Sequence, residues 1–163
     1  MILTIILIIT IITLLSYCLR IITIDGESMS PYLHHGDQVI VIRYLFRHMV
    51  KHNSVVVFRM SDIHNTKNHS VKSINTFLMI KRVVAIENDE IIAPSFKNII
   101  GENGKIQIVV IDKAKHWVMR DHIFVMSDNK ESYGDSRSFG PIPYSSIVGV
   151  VLYKMSRGDK SNL

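Results

Sequence analysis

At 163 residues the chain has room for one apolar anchor helix and one small domain with a modest core, which excludes two full domains. The net charge of +5 comes from basic residues scattered through Arg43, Arg47, Lys51, Lys67, Lys81, Lys105, Lys115 and Lys154 without a run; this favours an anionic lipid surface as partner and speaks against nucleic acid. The one cysteine, Cys18, lies in the apolar N-terminal run, which excludes an intrachain disulfide and any zinc site needing two or more cysteines.

From Met1 to Leu19 no side chain is charged, and isoleucine, leucine and threonine dominate. As a helix rising ~1.5 Å per residue, this run is ~28 Å long, close to the hydrocarbon thickness of a bilayer. The exit reads Tyr17-Cys18-Leu19-Arg20, without the small residues of a cleavage site. Residues 1–19 are therefore expected to form an uncleaved transmembrane anchor, and residues 20–163 the domain it carries. Arg20 follows the span, so charge alone leaves the orientation open.

Short β-like runs come next: 37–42, 54–58, 77–86, 105–111, 122–126 and 146–153, rich in valine and isoleucine and separated by glycine, proline, asparagine and aspartate. The fold class read from them is mainly β, a small domain of folded antiparallel sheets or a barrel-like form. Residues 44–52 are expected to make one or two helical turns, and the polar stretch 61–76 a mobile loop.

Two residues carry chemistry. Ser28 stands in "GESMSP" a few positions beyond the apolar run, where a hydroxyl would ordinarily bond to its own turn. Lys81 lies in "FLMIKRVVAI", where period-two alternation puts it on one face with Met79, Val83 and Ala85. An exposed lysine is neutral in only about 0.04% of molecules at pH 7, whereas desolvation lowers its pKa and frees a lone pair to act as a base. Its neighbour Arg82 reads as a surface residue or an ion-pair partner.

The segments "GESMSPYL", "GDQVIV", "IKRVVAI" and "SDNKESYGDSRSFGP" together resemble the boxes of type I signal peptidases, in the same order and at similar spacing. That resemblance implies a mostly β serine endopeptidase that removes signal peptides from exported preproteins after small residues, commonly Ala-X-Ala. It also implies a cytoplasmic N-terminus, a single membrane pass and a catalytic domain on the extracytoplasmic side. It makes Ser28 the nucleophile and Lys81 the general base, with no cofactor and no metal, and preproteins and membrane lipid as partners. The Ser28 backbone N–H becomes an oxyanion donor; Gly26 stands where some members carry a second donor, and Met29 beside the nucleophile resembles a cleft residue. Asp135 and Arg137, with Ser136 between them, fit a supporting ion pair.

The chain departs from the pattern in its last box. Tyr133 stands where the family has the serine that orients the lysine, and Ser132 is one residue early. One of these two hydroxyls is expected to hold the Lys81 amine, Ser132 through a local shift at Gly134 or Tyr133 by its reach. Asp37 is assigned to turn structure. His34, His35, His64, His69, His116 and His122 fit no metal-ligand spacing and are expected to be solvated loop residues for the most part. Two other readings share much of this pattern: a dedicated maturation peptidase with few clients, of conjugative or mitochondrial inner-membrane type, and a non-catalytic membrane subunit that retains the fold.

Overall fold

A computed structural model describes residues 2–43, 47–63, 74–100 and 106–155. Helix α1 (Ile2–Cys18) leads directly into strand β1 (Leu19–Thr23). After it come β2 (Gln38–Arg43), a 3-10 turn (Arg47–Met49), β3 (Val55–Ile63), β4 (Ile74–Ala85), β5 (Glu90–Ile100), β6 (Ile106–Trp117) and β7 (His122–Met126). The chain continues through the short helix α2 (Ser136–Phe139), β8 (Ile142–Pro143), a second 3-10 turn (Tyr144–Ser146) and β9 (Ile147–Met155). Seven strands form one antiparallel sheet in the order β1-β2-β9-β3-β4-β7-β8, and β5 and β6 pair separately as a two-stranded ribbon.

The unbroken apolar run of β3 explains its place at the centre. Val56 and Phe58 pack in one core cluster with Val83, Ile123, Val125 and Val150, while Val55 and Val57 pack in another with Met29, Leu33, Val39 and Val41. Both faces of this strand are covered, so no polar alternation is needed. Of the residues expected to share a face on β4, Met79 and Val83 pack against the same cluster with Lys81 between them, whereas Ala85, beyond a register shift after Val83, packs in a separate cluster with Val118 and Phe124.

Four expectations differ in extent or form from the described structure. The predicted anchor 1–19 is a helix of 17 residues that stops at Cys18, because Leu19 pairs with Ile42 of β2; among the described residues no helix is long and apolar enough to cross a membrane. Strand β1 and the ribbon strand β5 fall outside the predicted runs, since Arg20 and Thr23 in one and Pro94, Ser95 and Lys97 in the other dilute the apolar signal. Pro94 sits at a register shift of the ribbon, between Ala93 and Ser95, where a missing N–H breaks no ladder bond. The stretch 61–76 is strand at both ends, β3 running to Ile63 and β4 starting at Ile74, and its middle, 64–73, lies outside the described residues. The predicted helical turns within 44–52 are seen as the single 3-10 turn, with 44–46 also outside the described residues.

The close approach of β2 and β9 depends on Gly149, which is opposite Arg43. A Cβ added there would lie 2.6 Å from the Ile42 carbonyl oxygen and 2.5 Å from a Val41 methyl, so backbone as well as side chain would have to move. Gly149→Ala is therefore expected to destabilise the domain by about 1–3 kcal/mol, read as a fall in the thermal midpoint of several degrees.

Candidate active site

Ser28 and Lys81 are 53 positions apart in the chain, and the fold brings the Lys81 Nζ within 2.6 Å of the Ser28 Oγ. Lys81 reaches this position from β4, where it faces Val56 of the buried strand β3 and is only 3% exposed. Ser28 is presented by the turn that follows β1. That turn is closed by Ile24 N–H donating to Asp37 O at 2.8 Å, by Leu33 N–H donating to Met29 O at 2.8 Å, and by the buried side chains of Met29 and Leu33 beneath it. Asn129 ties it to the opposite side of the site, its backbone N–H donating to Ser28 O at 3.0 Å and its side-chain amide to Glu27 O at 3.2 Å.

Burial pushes the Lys81 ammonium down to about 8, against the opposing pull of Asp135 and Asp128. Desolvation prevails because each carboxylate is already bound to an arginine. Asp135 accepts from Arg137 through Nε at 2.9 Å and through a terminal nitrogen at 2.7 Å, and also from the Ser127 N–H at 2.9 Å. Burial alone would raise the Asp135 carboxyl, but these donors hold it below the ordinary carboxylate range. Asp128 is gripped by Arg82 in the same two-pronged way, at 2.8 and 2.6 Å. With both carboxylates bound to arginines, their pull on the lysine is outweighed by its burial.

A cleft of about 520 Å³ opens beside this pair. One wall is the end of β1 and the residues after it, including Ile22, Ile24 and Asp25; the other is β4 from Phe77 to Lys81, and Ser28, Ser132 and Gly134 close the end. Its walls are mainly apolar.

The remaining predicted site residues fall into two groups. Ser132 lines the cleft with Lys81, and its hydroxyl accepts a 3.1 Å bond from Ser127, while Tyr133 turns away to stack edge-on against Phe96 at 4.9 Å. Asp135, Ser136 and Arg137 are buried under the site: Asp135 caps α2, and the Ser136 hydroxyl accepts from the Val125 N–H at 3.0 Å. Gly26 has a φ of +89°, favouring glycine, and its N–H donates to His35 at 3.3 Å. Met29, 1% exposed, is packed in the core cluster with Leu33 and Val39 and is absent from the cleft lining.

Asp37 holds its turn as expected, accepting from the His34 N–H at 2.9 Å, and it also binds Lys154 of β9 at 2.8 Å. Among the described residues no cluster of three metal-ligating side chains occurs. His34, His35 and His122 are in loops or at a strand start, and His34 and His35 pair with Glu27 and Asp25 beside the serine. His116 is the exception to a solvated reading: it is half-buried on the ribbon, 4.9 Å from the Phe124 ring. His64 and His69 lie outside the described residues. The contributions of Asn129 and Asp128 went unrecognised in the sequence; the polar triplet 127–129 offered a signal, but its partners are 46 or more positions distant.

The chain matches the family described as signal peptidase, peptidase S26, over residues 1–108 and 93–155. It is similar to the mitochondrial inner membrane protease subunit 1 of Mus musculus, 27% identical over 135 residues that make up 83% of this chain and 68% of that protein. It is also similar to the probable thylakoidal processing peptidase 2, chloroplastic, of Arabidopsis thaliana, 27% identical over 139 residues covering 81% of this chain and 36% of the relative. The probable signal peptidase I-1 of Synechocystis is 25% identical over 140 residues, 80% of this chain and 68% of that protein. The chain therefore spans only about a third of the thylakoidal relative and about two thirds of the other two.

The lowered Lys81 pKa has a consequence for folding. Below about 8 the folded chain holds a charge it disfavours, and as pH rises from there towards the 10.5 of an exposed lysine that cost disappears. Lys81→Met is expected to raise unfolding stability at pH 7 by about 1–3 kcal/mol, a gain that shrinks through pH 8 to 10. Denaturant titrations at pH 7 and pH 10 measure it.

Proposed function

The chain belongs to the signal peptidase family, peptidase S26, and on that footing we propose that it is a membrane-attached serine endopeptidase in which Ser28 is the nucleophile and Lys81 the general base. The single observation carrying this reading is the 2.6 Å contact between the Ser28 hydroxyl and a buried lysine whose pKa is lowered to about 8. At pH 7 about a tenth of such lysines are neutral, a few hundredfold more than for an exposed one. The neutral amine takes the Ser28 proton along that contact as the oxygen attacks the scissile carbonyl. It then returns the proton to the leaving amine, and water, deprotonated by the same nitrogen, releases the acyl group.

The Ser28 backbone N–H makes no hydrogen bond among the described residues and is the proposed oxyanion donor. An extended peptide lies between the two walls of the cleft, with small side chains against the apolar surface, which favours cleavage after small residues in an Ala-X-Ala pattern. Ser132, at the closed end of the cleft with Lys81, is the proposed orienting hydroxyl; Tyr133, engaged with Phe96, is not.

Membrane attachment through the N-terminal segment, with the domain on the extracytoplasmic side, belongs to the same proposal. Residues 2–13 of α1 are apolar on every side and exposed apart from three threonines, two of which, Thr10 and Thr13, bond back to the helix's own carbonyls at 2.8 and 2.7 Å. A helix segment so apolar and so exposed suits a lipid surround. The similarity to a mitochondrial inner membrane protease subunit favours a second reading of the substrate, a few dedicated clients in place of exported preproteins at large.

Purified protein with an Ala-X-Ala preprotein tests the reaction. Ser28→Ala and Lys81→Arg are each expected to abolish cleavage with the fold retained, since a guanidinium stays protonated. In the wild type kcat/KM should climb with pH through about 8, as the lysine loses its proton. Turnover by either variant, or a flat profile between pH 6 and 10, sinks the proposed dyad.

The orienting role is tested by comparing Ser132→Ala with Tyr133→Phe. Loss of a neutral hydrogen bond worth ~1 kcal/mol predicts about a fivefold fall in kcat for Ser132→Ala. The same pair should show an unchanged rate for Tyr133→Phe. Equal rates for both variants and the wild type would remove Ser132 from the site.

A further inference from the structure

A second, smaller cavity of about 130 Å³ lies at the end of the sheet next to α1, and three of the six residues lining it are arginines: Arg20 of β1, Arg43 of β2 and Arg59 of β3. Its floor is Ile22, Val41 and Val148. Arg20 follows the end of the apolar helix by two residues, and the Arg43 guanidinium stacks 4.6 Å from the ring centroid of Tyr17, in the last turn of that helix. The cavity is thereby tied to the point where α1 meets the domain.

These arginines differ from the two at the active site. Arg82 and Arg137 each hold a carboxylate, whereas Arg20, Arg43 and Arg59 make no ion pair with any described residue. Three like charges gathered around one hollow repel each other, and nothing described in the chain neutralises them. An arrangement of this kind is stabilised by a multivalent anion, and guanidinium groups match phosphate oxygens in forked pairs. The cavity has the volume of about four waters, enough to admit a phosphate group. A floor of two valines and an isoleucine beneath cationic walls also suits an amphiphile, whose glycerol backbone can rest on apolar surface.

We propose that Arg20, Arg43 and Arg59 form a binding site for a phosphate group, that of an anionic phospholipid held where the N-terminal helix joins the catalytic domain. The choice of lipid over free phosphate rests on the membrane attachment proposed above, and is independent of the peptidase chemistry. The bound headgroup fixes the domain at the membrane surface where α1 joins it, and a zwitterionic choline lipid is disfavoured because its ammonium meets three guanidiniums.

The test uses the full chain in neutral detergent micelles, with lipid retention read by native mass spectrometry. Phosphatidylglycerol, phosphatidylcholine with the same acyl chains, and inorganic phosphate are added separately and in competition. The wild type is expected to hold one phosphatidylglycerol about tenfold or more tightly than phosphatidylcholine, and the combined variant Arg20→Gln, Arg43→Gln, Arg59→Gln to lose that preference. A control that removes the same charge elsewhere, Lys51→Gln, Arg120→Gln, Lys130→Gln, should keep it. Displacement of the lipid by inorganic phosphate at similar concentration supports the site and assigns it to free phosphate; no displacement supports the lipid. Equal retention of the two lipids by the wild type, with no phosphate binding, overturns the proposal, as does phosphatidylglycerol binding that survives in the arginine variant or disappears equally in the control. Preprotein cleavage by the same samples is scored separately, so failure of the peptidase reading leaves this result standing, and the reverse.

Discussion

The structure turns on one unfavourable placement, a lysine side chain buried against Val56 and facing a serine hydroxyl at 2.6 Å. Left alone, a buried ammonium would recruit the nearest carboxylate and become an inert ion pair. Two carboxylates are near enough to be felt, Asp135 and Asp128, and each is already occupied by an arginine, Arg137 and Arg82. The two arginine pairs occupy both of these carboxylates and so keep the lysine out of an ion pair with them. Their role is electrostatic containment more than rigidity.

The same pairs connect the layers of the fold. Arg82 is the residue after Lys81, so the strand that carries the buried lysine also carries the clamp on Asp128, and through Asn129 that loop reaches back to the carbonyl of Ser28. Asp135 caps α2 and holds the Ser127 N–H, fixing the segment that positions Ser132 at the end of the cleft. Displacing any one of these groups would leave a buried charge or a buried N–H without its partner, which costs far more than the bond itself contributes. The loop 127–137 is short of regular structure, and polar satisfaction takes the place of a strand ladder in holding it.

Relations to known proteins are consistent with this division between frame and site. The match to the signal peptidase family covers most of the chain, although identity with individual relatives is about a quarter. A sheet whose central strand is buried on both faces tolerates exchange among valine, isoleucine and phenylalanine as long as volume and pattern are kept. The buried lysine and the arginine-bound aspartates sit under a tighter physical constraint, because each buried charge depends on one partner geometry.

Much of this was legible in the chain. The runs at 37–42, 54–58, 77–86 and 122–126 are all strands, since valine-rich alternation reports half-buried pleated surface directly, and Ser28 and Lys81 stand out as polar residues in places where local physics alone does not require them. The Asp135–Arg137 pair could also be read, being only two positions apart. What depended on the tertiary structure was every relation between distant segments. The 2.6 Å contact, the neutralisation of Asp128 by Arg82, the seating of Tyr133 on Phe96 in place of the lysine, and the meeting of three arginines from three strands all follow from strand order and register. Sequence periodicity reports which side of a strand a residue occupies, but not which strand lies beside it; a side chain's charge state and partners are set by those neighbours.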